Sequence, residues 1–271
     1  AFLCWTAIAG ALWGSPPVRN LILLWNLAVL ICYSVAIYAE LHGRAKWPGI
    51  VRDWLPFPIL MLAYREMGWL AMPHDSYPLE TSWVFWDRIV LRGGAKAVIE
   101  SLGPVVPSIL EISYTLVYSL GPFAVAMLYA YGRRDRAERF LFLFVASVLV
   151  CYAQYPFWPS EPPRTVFPNE DLPSYLTVFR RINLRMLGNY GIHTSVFPSG
   201  HVAAAFAAAF GAWRALPERR WLFRFLLVMA VLIATSTVYG RYHYLADALA
   251  GLTAAVCMLG FSIWKWRGSR A

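Results

Sequence analysis

The chain has 271 residues, 59% of them hydrophobic and 14% charged, whereas soluble proteins carry about 25% charged residues. That balance excludes a soluble globular domain and a disordered chain. In a soluble protein the formal charge of +9 would suggest a nucleic-acid partner, but here the cations fill short gaps between apolar runs. That placement orients a chain in a bilayer, and no nucleic-acid partner is expected.

Residues 1–13 read as a truncated first span rather than an intact signal peptide, because they lack a charged leader and a small-residue cleavage site. A helix crossing the hydrocarbon needs about 20 apolar residues, and the best segments are 21–39, 112–131, 140–159, 195–213, 225–240 and 248–264. Residues 54–72 are a weaker span, since Pro56 and Pro58 stand near its start and Arg65 and Glu66 interrupt it. The expectation is an all-α, multi-pass membrane helix bundle of seven or eight spans. Residues 81–102 mix aromatics with charges and fit either a helix lying in the interface or a connecting helix with aromatic anchors. The stretch 159–194, rich in proline early and arginine later, reads as a long functional loop. The Ala-rich run from Val202 to Trp213 favours close helix contact. Cys4, Cys32, Cys151 and Cys257 all lie in apolar runs and read as packing or lipid-facing residues.

The loops test this topology, because they must alternate sides. Segments 40–53, 133–139, 214–224 and 265–271 hold 14 Lys or Arg in 39 positions, whereas 14–20, 73–111, 160–194 and 241–247 hold 9 in 88. Basic residues in short loops stay cytoplasmic, so the second set is expected on the periplasmic, exterior or lumenal face.

Two of the five histidines stand at ends of apolar helices on that second face. His201 ends the string Phe197-Pro198-Ser199-Gly200-His201 and opens the Ala-rich helix. The backbone N–H groups of Ser199, Gly200 and His201 then fall at a helix N-terminus, which suits an anion such as phosphate. His243 is four residues before Asp247, a spacing that puts imidazole and carboxylate on one helical face. The carboxylate can hold one ring N–H and stabilise the cation formed when the other nitrogen attacks. Arg164, stiffened by Pro162 and Pro163, follows a span on the same side and could grip phosphate oxygens bidentately. Each feature alone has a bland explanation, as an interfacial histidine or a chance His-x-x-x-Asp. Their concentration on one side is what points to chemistry. The spacing lacks a characteristic zinc pattern, and no metal is expected. Of the rest, Arg65 and Glu66 read as a pair across a helix interface or as the lining of a polar cavity, Glu111 as interfacial, His42 and His74 as solvated, and His193 as a non-catalytic neighbour of the site.

Pro198-Ser199-Gly200-His201 followed by His243-x-x-x-Asp247 resembles the type 2 phosphatidic acid phosphatase superfamily over residues 110–264. With Ser236-Thr237-x-Tyr239-x-x-x-His243 included, the pattern is most similar to the inositol phosphorylceramide synthase branch. The resemblance implies a six-helix core in residues 104–271, preceded by N-terminal helices in 1–103. It implies that His243 attacks phosphorus to give a phosphohistidine-type intermediate, that Asp247 supports it, and that His201 protonates the leaving oxygen. It implies that Arg164, Ser199 and Gly200 hold the phosphoryl oxygens, without cofactor or metal. The chain departs from the phosphatase branch at Phe157, where a lysine is expected, at Thr165, where a proline is expected, and at Thr237, where an arginine is expected. Arg241, two residues before His243, is read as supplying the missing charge.

The leading reading is therefore a lipid phosphotransferase that moves a phosphoryl or phospho-headgroup from a phospholipid donor to a lipid hydroxyl. A lipid phosphate phosphatase would use the same residues with water as acceptor. A transporter or membrane scaffold is the reading from another class, and would call for inverted repeats or broken helices.

Overall fold

The computed structural model describes residues 1–43, 46–72 and 74–267, and among them is helical throughout its ordered elements with no strand. The helices are α1 (Phe2–Trp13), α2 (Pro16–His42), α3 (Trp47–Trp54), α4 (Pro56–Leu70), α5 (Pro78–Val90), α6 (Lys96–Glu100), α7 (Val105–Ala130), α8 (Ala137–Tyr152), α9 (Pro163–Val166), α10 (Val178–Tyr190), α11 (Gly200–Ala215), α12 (Arg220–Tyr239) and α13 (Leu245–Lys265). By length and composition α2, α7, α12 and α13 can cross a membrane. The protein is an all-α multi-pass membrane bundle.

Two expected spans are shorter than their apolar runs. The run 140–159 ends as a helix at Tyr152, where Gln154 to Trp158 turn ahead of Pro159. The run 195–213 starts as a helix only at Gly200, because Ser199 caps it by accepting from the Val202 N–H. Each is 16 residues long, about 24 Å at 1.5 Å per residue, short of the ~30 Å hydrocarbon core.

Helix α11 is the hub of the bundle and packs against α7, α8, α12 and α13. Its alanines 203, 205, 207, 208 and 209 are fully buried. Lipid chains are as apolar as leucine, so such helices associate through close van der Waals packing that small side chains permit. In contrast, α2 turns Leu23, Leu24, Leu27, Leu30 and Ile31 outward, as a lipid-facing helix should.

Among the described residues, the two loop sets lie at opposite ends of the bundle. At one end Arg134 bridges Glu40 and Asp53, Arg52 joins the same two carboxylates, and Arg136 reaches Glu218 and the Ala215 carbonyl. Gly49 is pressed against the Arg134 guanidinium and the Glu40 carboxylate, so any larger residue would push that network apart. The other end gathers the start of α7, the end of α8, the start of α11, the end of α12 and the start of α13, as their contacts around His201 and Tyr242 show.

The segment read as a loop, 159–194, contains α10, opened by Thr177, whose side chain accepts from the Arg180 N–H. The stretch 81–102 is helical for most of its length, with a bend at Gly94, where φ is 119°. Its first part, α5, presents Glu80, Val84 and Asp87 inward at i, i+4 and i+7, and Phe85, Trp86 and Ile89 outward.

Candidate active site

The site is assembled by two turns and two helix starts. After α12, the Tyr242 and His243 N–H groups both donate to the Thr237 carbonyl, at 2.9 and 3.0 Å, while Arg241 takes a left-handed φ of 60°. This tight turn delivers Tyr244 as the N-cap of α13. Asp247 then accepts the Tyr244 N–H at 2.9 Å and lies 3.2 Å from His243 Nδ1, using the same oxygen, Oδ2, for both. One carboxylate oxygen thus ties the imidazole to the helix cap. With a proton on Nδ1, the Nε2 lone pair is the nucleophilic one. Burial, aided by the Arg164 charge, pushes the His243 pKa down to about 3. The ring is therefore neutral at physiological pH, as a nucleophile requires.

His201, the second residue of α11, faces this ring with centroids 5.6 Å apart. Tyr114 stacks on His201 at 5.0 Å and on Tyr242 at 4.3 Å, which fixes the imidazole plane. The Tyr118 hydroxyl is hydrogen bonded to His201 Nε2 at 3.0 Å. The turn before His201 is held to α13 directly, since the Ser199 N–H donates to the Asp247 carbonyl at 3.0 Å. Gly251 lies against the Ser199 carbonyl, where a Cβ would strike backbone. The Ser199 hydroxyl caps α11, and the Gly200 N–H is directed at the Tyr155 hydroxyl.

Arg164, at the start of α9, donates its backbone N–H to the Arg241 carbonyl at 3.3 Å and carries its guanidinium 5.7 Å from the Tyr242 ring centre. It acts electrostatically on both imidazoles. Burial lowers its pKa, yet a guanidinium stays charged at any physiological pH. His201, His243, Asp247, Ser199, Gly200 and Arg164 are thus drawn to one end of the bundle.

Arg241 is not brought to the pair, contrary to the sequence expectation. Its side chain is fully buried and bonds Asp87 of α5 through Nη1 at 2.6 Å. The left-handed turn points Arg241 away from His243, and the ion pair holds it there. Asp87 also accepts the Leu245 N–H at 2.8 Å. Burial raises its carboxyl pKa to about 6 against the pull of Leu245 and Arg241. Thr237, where the phosphatase branch has its arginine, is buried with its hydroxyl returned to the Ala234 carbonyl. Phe157, in place of the lysine, packs against Trp13 and Trp5 of α1.

Other expectations change in the same way. Glu111 is 1% exposed rather than interfacial, and accepts from Arg180, Asn183 and Tyr242 at 2.5–2.9 Å. His74 is paired through Nε2 with the buried Glu80 at 2.9 Å rather than solvated, and Glu80 also accepts the Glu161 N–H just ahead of Arg164. Arg65 and Glu66 part ways: Arg65 donates to the Tyr190 carbonyl across the interface with α10 and lines a cavity, the alternative the sequence left open, whereas Glu66 is buried. His42 and His193 are exposed. Glu80, Asp87, Glu111, Tyr114, Tyr118 and Arg180 were missed as supports of the site. The readable signal was two acids seven residues apart in an otherwise aromatic helix, Glu80 and Asp87.

The sequence profile of the PAP2 superfamily matches residues 96–261, more than half of the chain and the whole stretch from Arg164 to Asp247. The chain belongs to the PAP2 superfamily. Among relatives, a PA-phosphatase related-family protein of Dictyostelium discoideum is 25% identical over 221 residues, 71% of this chain and 37% of its own length. YbjG of Escherichia coli (strain K12), named provisionally as an undecaprenyl-diphosphatase, is 40% identical over 78 residues, 27% of this chain and 37% of its own length. The chain therefore spans little more than a third of the relatives it matches. No solved structure matches it. These matches reach the PAP2 superfamily as a whole, and the likeness to the inositol phosphorylceramide synthase branch rests on Phe197 to His201 taken with the residues from Ser236 to Asp247.

Within this PAP2 site, Asp247→Asn is expected to lower kcat by about 10³-fold while KM moves less than about threefold, because the change disturbs the tautomer and not the surrounding pocket. Steady-state kinetics on a phospholipid decide it, and an equal loss in binding would contradict the role given to the carboxylate.

Proposed function

We propose that this PAP2 protein cleaves a lipid phosphoester through a phosphohistidine-type intermediate. The observation that carries the reading is the His201–His243 pair, 5.6 Å between ring centres, with Asp247 on the far nitrogen of His243. His243 Nε2 forms a bond to phosphorus as the phosphorus–oxygen bond to the lipid breaks. His201 gives its proton to the leaving oxygen, then takes one from the incoming hydroxyl as that oxygen displaces His243. Arg164 stabilises the charge on the phosphoryl oxygens, and Ser199 and Gly200 border it at the start of α11.

The acceptor separates two readings. Hydrolysis, with water as acceptor, draws support from the names of both relatives. Transfer of a phospho-headgroup to a lipid hydroxyl, as in the inositol phosphorylceramide synthase branch, draws support from the apolar surroundings of His201. The expected chemistry uses no metal ion. The basic loops at the opposite end support placing the site at the extracytoplasmic face.

The test is to incubate the purified chain with head-labelled phospholipid in chelator, with and without a lipid alcohol. Water-soluble phosphate appearing alone supports hydrolysis, and a new phospholipid formed only with the alcohol supports transfer. A transporter or scaffold would produce neither.

A further inference from the structure

A cavity of about 640 Å³ lies between α4, α7, α8, α10 and the start of α11, within the ~300–1,000 Å³ of small-molecule sites. Its wall includes His201 but not His243, Asp247 or Arg164. Tyr118 lies against His201 and Tyr152 against Gly200, and the wall continues through Met61, Arg65, Val117, Phe144 and Val148. Along α8 its wall reaches from Tyr152 to Phe144. Tyr64 meets Tyr152 at its upper level and Phe57 meets Phe144 at its lower one. The eight helical steps from Tyr152 to Phe144 span about 12 Å.

We propose that this cavity holds the hydrocarbon chain of the lipid whose oxygen departs from phosphorus, with α4 as the wall that selects the chain. The proposal rests on the function given above, in which His201 faces the leaving oxygen. A group bonded to that oxygen must extend from the His201 side, and among the described residues the room there is mostly apolar, with Arg65 as its one basic side chain besides His201 itself. Arg65 and several tyrosines bring polar groups to this wall, but a sugar or free phosphate would still lose water against Val117, Phe144 and Val148, whereas a hydrocarbon chain gains from burial. The charged part of the substrate has other room: a second cavity, about 450 Å³, is lined by Arg164 and Arg180 and lies away from His201. Arg164, which acts electrostatically on both imidazoles, lines that second cavity, whereas His201 lines the first. Helix α4, residues 56–70, lies outside the segment matched by the PAP2 superfamily, 96–261. Chain selectivity is then set by a part of the protein that the family core does not contain.

The experiment compares dioleoyl and dihexanoyl phosphatidic acid, alike in headgroup, with the purified full chain in detergent micelles. Met61→Trp, which fills the cavity from α4, is expected to lower kcat/KM on the long-chain lipid about tenfold, equivalent to about 1.4 kcal/mol, and to leave the short-chain lipid within about twofold. Val117→Phe fills it from the opposite wall and provides the same comparison if the first variant does not fold. Equal losses on both lipids, or no loss on either, overturn the proposal. A second readout does not depend on turnover: vesicles carry phosphatidic acid with a diazirine at the chain end, and photolabelled peptides are mapped. Labels within 57–65 or 144–152 that Met61→Trp abolishes support the cavity, even if the wild type cleaves neither lipid and the proposed function fails. Labels confined to the outer faces of α2 and α13, unchanged by Met61→Trp, overturn it.

Discussion

Replacing His243 with alanine is expected to end turnover, with kcat falling by about 10⁵-fold or more, the scale seen when a nucleophile–base unit loses its central member. The imidazole is buried, and it is oriented by the Asp247 carboxylate at Nδ1 and by a hydrogen bond to the Val196 backbone. Removing it leaves the Tyr244 cap on Asp247 intact, so the helix start and the fold are expected to survive. The check is phosphate release by the purified variant beside a thermal melt of the same sample. A melt near that of the wild type with turnover lost assigns the nucleophile. Turnover within tenfold of the wild type removes His243 from the chemistry and moves attention to His201.

The second large effect concerns stability. Asp87→Asn leaves the Arg241 guanidinium fully buried without its counter-charge, and breaking a buried pair from one side costs about 3–5 kcal/mol. Arg241→Met is expected to cost less, because the two partners are not equivalent. A guanidinium cannot shed its proton, whereas the Asp87 carboxyl is already raised to about 6 by burial and can become neutral. The sign follows from linkage. With Arg241 gone, the Asp87 pKa rises further above its unfolded value, so the protonated acid stabilises the fold at low pH and this support is lost as pH rises through the folded pKa. Arg241→Met should therefore be nearer to wild type at pH 5 than at pH 8, and Asp87→Asn should show no such recovery. The double variant Asp87→Asn with Arg241→Met should be more stable than Asp87→Asn alone. Detergent-solubilised melts at the two pH values test all three, and a double variant no better than Asp87→Asn would show that the charge pair is not what holds the turn.

Much of the site was legible because polar residues at the ends of apolar helices stand out against their surroundings. His201 after Pro198-Ser199-Gly200, and His243 four residues before Asp247, could be placed on one face by counting spans and basic loops. The direction of Arg241 could not. It depends on a left-handed turn and on a carboxylate 154 residues away, and no local period encodes either. The same holds for Glu111, whose partners Arg180, Asn183 and Tyr242 come from α10 and the turn after α12. Hydropathy overran α8 by seven residues and began α11 five too early, because it registers apolar side chains and not the turn at 154–158 or the Ser199 cap. Helix α10 escaped notice for the opposite reason: its arginines hide it from any apolar count.

Helix α5 reaches both halves of the site, through Glu80 to the strand of chain ahead of Arg164 and through Asp87 to Arg241 and Leu245. A fragment trimmed to residues 96–261 would keep every candidate catalytic group and lose both of these carboxylates. The segment matched by the superfamily is thus tied to the extension ahead of it, whose two carboxylates hold the turn at Arg241 and the approach to Arg164 in place.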